Sequence, residues 1–217
     1  MDAQRDQALT PSTTGVVVHG AARYDLLVWL VTLGRERVFR EKVLHLARLE
    51  PGESVLDVGC GTGTLAITAK RHVGPPGTVH GMDASPQMIA RAGKKARKAG
   101  VEVVFKNAVA EALPFPDAQF DVVMTTVMLH HLPRNARQQR AAEMRRVLKP
   151  GGRVLAVDFG GPARVRRCLL AHFHRDGHVN LRDIIAVLSE AGLNMVESGA
   201  VGIGDLQFVL AATPSRA

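Results

Sequence analysis

The sequence predicts an α/β protein: one mainly parallel sheet with helices on both faces, closed by an antiparallel hairpin. Three observations predict it. From Glu53 onward, short β-rich runs alternate with stretches of helical spacing, the pattern of βαβ units. The first such run, "ESVLDVG", carries apolar residues with little alternation, as a strand buried on both faces should. The last two runs, "NMVESGAV" and "DLQFVLAAT", are joined by a short link holding Gly202 and Gly204, with no helix between them. They therefore pair antiparallel at the sheet edge.

The elements follow in order. "ARYDLLVWLVTLGRERVFREKVLHLARL" supplies one or two helices ahead of the sheet. "ESVLDVG" leads through a glycine stretch into the helix "TLAITAKRHV", and "GTVHGMD" is the second strand. In "SPQMIARAGKKARKAG", Ser85 is the N-cap, Pro86 takes the first helical position and Gly100 stops the helix. "VEVVFKN" is the third strand. The turn "FPDAQ" feeds a fourth, "FDVVMTTVML". The helix "ARQQRAAEMRRVLKPGG" is closed by Pro150 and two glycines, and "RVLAVDFG" is the fifth strand. "LRDIIAVLSEAGL" is a helix ending at Gly192, before the terminal hairpin.

Composition sets the bounds. A chain of 217 residues with 46% hydrophobic residues supports one sizeable core. Residues 1–18, polar with Pro, Ser, Thr and Gly, read as a flexible tail. Residues 19–217 read as a single domain, with 19–50 as an N-terminal helical lid. No apolar run approaches the ~20 residues of a membrane span, and the N-terminus lacks a signal-peptide layout, so a cytoplasmic location is expected. Two cysteines, Cys60 and Cys168, make no disulfide framework and no Cys/His spacing resembles a zinc site. The net charge of +8 concentrates in residues 91–100, 133–153 and 164–167. It suits an anionic membrane surface as a partner. Nucleic acid is disfavoured, because no aromatic residues interleave the basic clusters.

The functional signal is "VLDVGCGTG" at residues 55–63. Ligands of open α/β sheets bind outside the carboxyl ends of strands, so a ligand belongs at Gly59-Cys60-Gly61-Thr62-Gly63. A dinucleotide loop wants G-x-G-x-x-G, and Thr64 stands where its third glycine would be. Asp83 closes the second strand, twenty positions after Gly63, where an acid accepts from ribose hydroxyls or, more blandly, caps the next helix. Asp57, buried in the first strand, must find hydrogen-bond partners.

Residues Val55 to about Phe159 resemble a class I methyltransferase dependent on S-adenosylmethionine. "VLDVGCGTG" resembles that family's first motif and "GMDASPQMI" its second. "AEALPFPDAQFDVV", "LHHLP" and "LKPGG" resemble later motifs, in the right order. Within the class the chain is most similar to the branch that includes the ubiquinone and menaquinone C-methyltransferases. The resemblance implies a Rossmann-like seven-stranded sheet in the order 3-2-1-4-5-7-6. It implies S-adenosylmethionine as cofactor, held by Asp57, Gly59, Cys60, Gly61, Gly63, Asp83, Ala84, Met88, Ala108, Val109, Ala110, Thr126 and Leu129. Bare backbone at Gly59 and Gly61 would admit the methionine end, with Asp57 bracing the loop through its N–H groups. Many relatives carry an acid just before "AE" that accepts from the adenine amino group. Val109 stands there in this chain, leaving adenine to backbone near Ala110 and to packing by Met88 and Leu129, which serve equally as core residues.

Transfer of a sulfonium methyl needs positioning, and needs a base only if the attacking atom is protonated. Candidate catalytic residues are His130, His131 and Tyr24, with Asp158 a further option; the histidines could instead bond the loop backbone. The cluster His172, His174, His178 suits gating or acceptor contact, and no metal is expected. The acceptor reads as a small, lipophilic molecule. The segment "GGPARVRRCLLAHFHRDGHVN" is shorter and more basic than in quinone enzymes, which keeps phospholipid-headgroup N-methylation as an alternative. A non-catalytic adenosylmethionine-fold module that binds RNA or a protein is the alternative of another class.

Overall fold

In the computed structural model, residues 35–129, 134–159 and 181–215 are described. In chain order they form α1 (Glu36–Leu46), β1 (Ser54–Val58), α2 (Thr64–Val73), β2 (Thr78–Asp83), α3 (Pro86–Ala99), β3 (Val104–Asn107), β4 (Phe120–Thr126), α4 (Arg134–Val147), β5 (Leu148–Phe159), α5 (Leu181–Glu190), β6 (Asn194–Ala200) and β7 (Leu206–Ala212). The strands make one sheet in the order β3-β2-β1-β4-β5-β7-β6. β1 to β5 pair in parallel, while β7 lies antiparallel between β5 and β6. The predicted fold class, strand order and terminal hairpin are therefore observed.

Side chains alternate across the strands, so the sheet has two apolar faces. Leu56, Val58 and Val123 pack with Met144 of α4 and Ile184 of α5. Val55, Val122 and Met124 pack with Phe39 and Val43 of α1 and with Leu65 and Ala66 of α2. Asp57 shares the parity of Val55 and so points toward α1 and α2, in the middle of the sheet. Its register partners are Gly81 on β2 and Met124 on β4.

The helix ends follow local chemistry. At α3 the Ser85 hydroxyl accepts from Met88 N, Pro86 opens the helix, and Gly100 ends it at φ 64°. Two expectations need correction. α4 stops at Val147, not at Pro150: Leu148 already pairs with Phe120, and the register then shifts before Val122 meets Arg153. Pro150 lacks the N–H a helix requires, so Leu148 to Gly152 enters β5 through a bulge. β3 begins at Val104, three residues later than the run "VEVVFKN" suggested.

Ahead of the sheet, α1 buries Phe39, Val43 and Leu44, three to four residues apart on one stripe. Arg153 of β5 ties down its end, donating to Ala47 O at 2.7 Å and forming an ion pair with Glu53 at 2.8 Å. The tail and the lid before Arg35 lie outside the described residues. Among the described residues no helix is long and apolar enough to cross a membrane.

Candidate cofactor site

The site is built where β1 ends. Gly59 N and Cys60 N both donate to Met82 O, at 2.9 and 2.8 Å, which curls the chain toward β2. Gly63 N donates to Cys60 O at 2.9 Å, and α2 then starts. The three glycines have three different reasons. At Gly63, φ is 76° and a Cβ would lie 2.7 Å from both Ala92 Cβ and Phe105 Cζ, so only a bare Cα lets α2, α3 and β3 meet. At Gly59, φ is 76° and a Cβ would lie 2.6 Å from Met128 Sδ. Gly61 donates its N–H to Asp83 Oδ2 at 3.0 Å. The face left bare at Gly59 is thus in contact with the Met128 side chain, a packing partner that the spacing of the glycines did not disclose.

Asp83 organises the loop. Besides Gly61 N, it accepts from Ser85 N at 2.8 Å through its other oxygen. Its main-chain carbonyl receives Asn107 Nδ2 at 2.9 Å and Ala108 N at 3.2 Å. The ends of β1, β2 and β3 therefore converge on one residue, and Met128 brings in the end of β4. Burial raises the Asp83 carboxyl above its ordinary range, against the pull of the Ser85 and Gly61 N–H groups.

Asp57 behaves differently from the expectation that it braces the loop. Its residue is 1% exposed, and neither carboxylate oxygen makes a hydrogen bond of ordinary geometry among the described residues. Burial, and then the charge of Asp83, push its carboxyl up to about 7; Arg40 of α1 and the Ala66 N–H act weakly the other way. The bracing role falls to Asp83. What Asp57 supplies is a fully buried acid near the half-buried Asp83, a place that favours positive charge.

Cys60 is buried, and burial followed by the Asp57 and Asp83 charges raises its thiol well above the ordinary value. That is the signature of a small packing group, not of a reactive thiolate. Ala84 lies in the turn between Asp83 and Ser85. Met88 is buried on α3, Ala108, Val109 and Ala110 are buried after β3, and Leu129 is buried in the core shared with α4 and α5. Thr126 ends β4 opposite Val157. Asp158, fully buried, accepts from Phe159 N at 2.8 Å. Tyr24, His130, His131 and the cluster His172, His174, His178 lie outside the described residues.

Three contributors escaped the sequence reading. Met128 covers Gly59. Lys95 of α3 donates to Thr62 Oγ1 at 2.7 Å and Thr64 Oγ1 at 3.1 Å, clamping the glycine loop from behind. Arg140 of α4 pairs with Glu111 at 2.9 Å. None carries a sequence signal, because each meets its partner only when segments far apart in sequence come together on the sheet.

Residues 55–152 match a family described as "Methyltransferase domain". The demethylmenaquinone methyltransferase of Thermus thermophilus is 39% identical over 145 residues, 66% of this chain and 64% of that protein. The ubiquinone/menaquinone biosynthesis C-methyltransferase UbiE of Ralstonia pickettii is 36% identical over 154 residues, 71% of this chain and 63% of that protein. The chain thus spans just under two thirds of the length of these curated relatives. A SAM-dependent methyltransferase from Aquifex aeolicus shares the fold with a TM-score of 0.73 at 22% identity, over 90% of this chain and 99% of that one. The geranyl diphosphate C-methyltransferase of Streptomyces coelicolor has a TM-score of 0.68 at 17% identity, over 83% of this chain and 78% of that one.

The strand order, the glycine loop with its two acids and the matched residues together define the class: residues 55–152 are a methyltransferase domain of the class I, S-adenosylmethionine-dependent kind. Its resemblance to individual members is greatest, among these, on the quinone-pathway side.

Proposed function

We propose that this chain transfers the methyl group of S-adenosylmethionine to a ring carbon of a small, lipophilic quinol. The observation that carries the cofactor half is the pair of acids at the strand ends of the glycine loop, the fully buried Asp57 and the half-buried Asp83. A dinucleotide pyrophosphate would be repelled there. A ligand with an ammonium and a sulfonium, and no phosphate, is attracted. The acceptor half draws on the relatives named for demethylmenaquinone and ubiquinone/menaquinone chemistry.

The cofactor supplies an activated methyl group. The protein's share is placement. Asp57, buried beneath the loop, would favour the ammonium through its charge, and the main chain at Gly61 would hold the methionine end. Asp83 serves the ribose hydroxyls with the lone pairs left after Gly61 N and Ser85 N, and the backbone of Val109 and Ala110 faces the base. Residues 19–217 act as one domain, with 19–50 covering the acceptor. C-methylation of a quinol releases a proton from the ring carbon that attacks, so a base is required. His130, His131 and Tyr24 are its candidates.

The test is a methyl-transfer assay with a short-chain demethylated naphthoquinol kept reduced, followed by mass spectrometry of the product. A gain of one carbon-bound methyl supports the reading. Cofactor binding without transfer to this acceptor, but with transfer to phosphatidylethanolamine, overturns the acceptor assignment.

A further inference from the structure

The stretch from Ala108 to Asp117 has almost no regular structure, yet it is held throughout by one stripe of α4. Gln139 Nε2 donates to Glu111 O at 3.1 Å, and Arg140 Nη2 to Glu111 Oε1 at 2.9 Å. Glu143 Oε2 accepts from Leu113 N at 2.7 Å. Arg146 donates to Leu113 O at 3.0 Å and to Phe115 O at 2.8 Å, and pairs with Glu143 and Asp117. Residues 139, 140, 143 and 146 lie one, three and three positions apart, so they share a helix face.

The contact nearest the site is the most buried. The side chains of Arg140 and Glu111 are 5% and 12% exposed, whereas Arg146 and Asp117 are 31% and 78%. Glu111 directly follows Val109 and Ala110. The N–H groups of those two residues make no hydrogen bond among the described residues, while Ala108 N donates to Asp83 O and Ala112 N, two residues past Ala110, to Val109 O. Val109 has no side-chain acceptor. Any recognition of a base at this point must therefore go through main-chain groups, and a main-chain donor discriminates only if its position is fixed.

We propose that the Arg140–Glu111 pair is a positioning device for base selectivity. It fixes the Val109–Ala110 backbone so that an N–H group meets a ring nitrogen that accepts, as adenine N1 does, and rejects one that carries a proton, as in hypoxanthine. This rests on the cofactor assignment proposed above. A plain structural role would lower stability or overall affinity without changing the choice of base.

The test uses the full chain, with S-adenosylhomocysteine and its inosine counterpart titrated by calorimetry. Removing one partner strands a buried charge, so the informative variant is the double substitution Glu111→Gln with Arg140→Met. Wild type should prefer the adenine form by about tenfold or more. The double variant should lose most of that preference while still binding. Should it not fold, Glu111→Asp keeps the charge pair but shortens its reach, and is expected to lower the preference as well. An unchanged ratio in a folded variant overturns the proposal and leaves the pair structural. Failure of wild type to bind either compound overturns the cofactor assignment instead.

Discussion

The Asp83 carboxylate holds Gly61 N at 3.0 Å with one oxygen and Ser85 N at 2.8 Å with the other, so a single side chain spans the loops after β1 and β2. Replacing it with alanine removes both bonds and leaves two N–H groups without their acceptor. Asp83→Ala should cost about 1–3 kcal/mol of stability and abolish measurable cofactor binding. Chemical denaturation and calorimetry check the two effects separately.

Asp57 gives the opposite combination. Its carboxyl is raised to about 7, chiefly by burial. The folded state therefore holds a proton that the unfolded chain, with a pKa of about 3.9, has already released. The contribution of this group is fully present below about pH 4 and is lost as pH rises through about 7. Asp57→Asn should raise the melting temperature at pH 8 and change it little at pH 4. The same substitution should weaken cofactor binding at pH 8 by about tenfold or more, a trade of function for stability. A wild-type affinity that strengthens between pH 6 and 8 is the companion expectation, since a cationic ligand favours the ionised acid.

His80 on β2 works against Asp57 in the unligated protein. Its ring meets Phe115 and Phe120 edge-on, at 5.5 and 5.4 Å between centroids. Burial, and then Lys106, lower its pKa. Protonation thus favours the unfolded state, and stability is lost as pH falls through the unfolded value of about 6.5. His80→Phe should flatten that loss. Comparing melting curves of the variant and wild type between pH 5 and 8 isolates it from the Asp57 effect.

Val127, just after β4, stands at φ 54°, unusual for a β-branched residue, and donates to Val157 O at 2.7 Å. The turn it makes sends Met128 onto Gly59. Val127→Gly should change stability by less than about 1–2 kcal/mol, because strain relief is offset by the entropy of glycine and by lost packing of the Val127 side chain against the sheet core. Gly63→Ala should be far more damaging than Gly100→Ala. Both have positive φ, but only Gly63 is closed in, by Ala92 and Phe105, while nothing lies within 4 Å of a Cβ at Gly100. Urea denaturation of the two variants side by side decides it.

The sheet was readable because its signals are local. Ser85-Pro86 and Gly100 bracket α3, and the apolar parity of β1 places Leu56 and Val58 on one face and Val55 on the other. The end of α4 was misread because "LKPGG" satisfies two rules at once: Pro150 can close a helix or sit in a bulge, and pairing of Leu148 with Phe120 decided between them. In the site, the glycines and both acids were legible from spacing alone. Their division of labour was not. Whether Asp57 or Asp83 holds the loop depends on how β1 and β2 register, with Asp57 beside Gly81 and Asp83 two residues further along β2. Met128, Lys95 and Arg140 act across distances of 29 residues or more in sequence, where spacing carries no information.

The most direct test of the account is calorimetric titration of S-adenosylhomocysteine into wild type and into Asp57→Asn at pH 8. Saturable one-site binding to wild type that loses most of its affinity in Asp57→Asn is expected at pH 8, and in a repeat at pH 6 wild type should release a proton on binding while Asp57→Asn should not. No binding to wild type, or equal affinity and equal proton release in the two proteins, would contradict it.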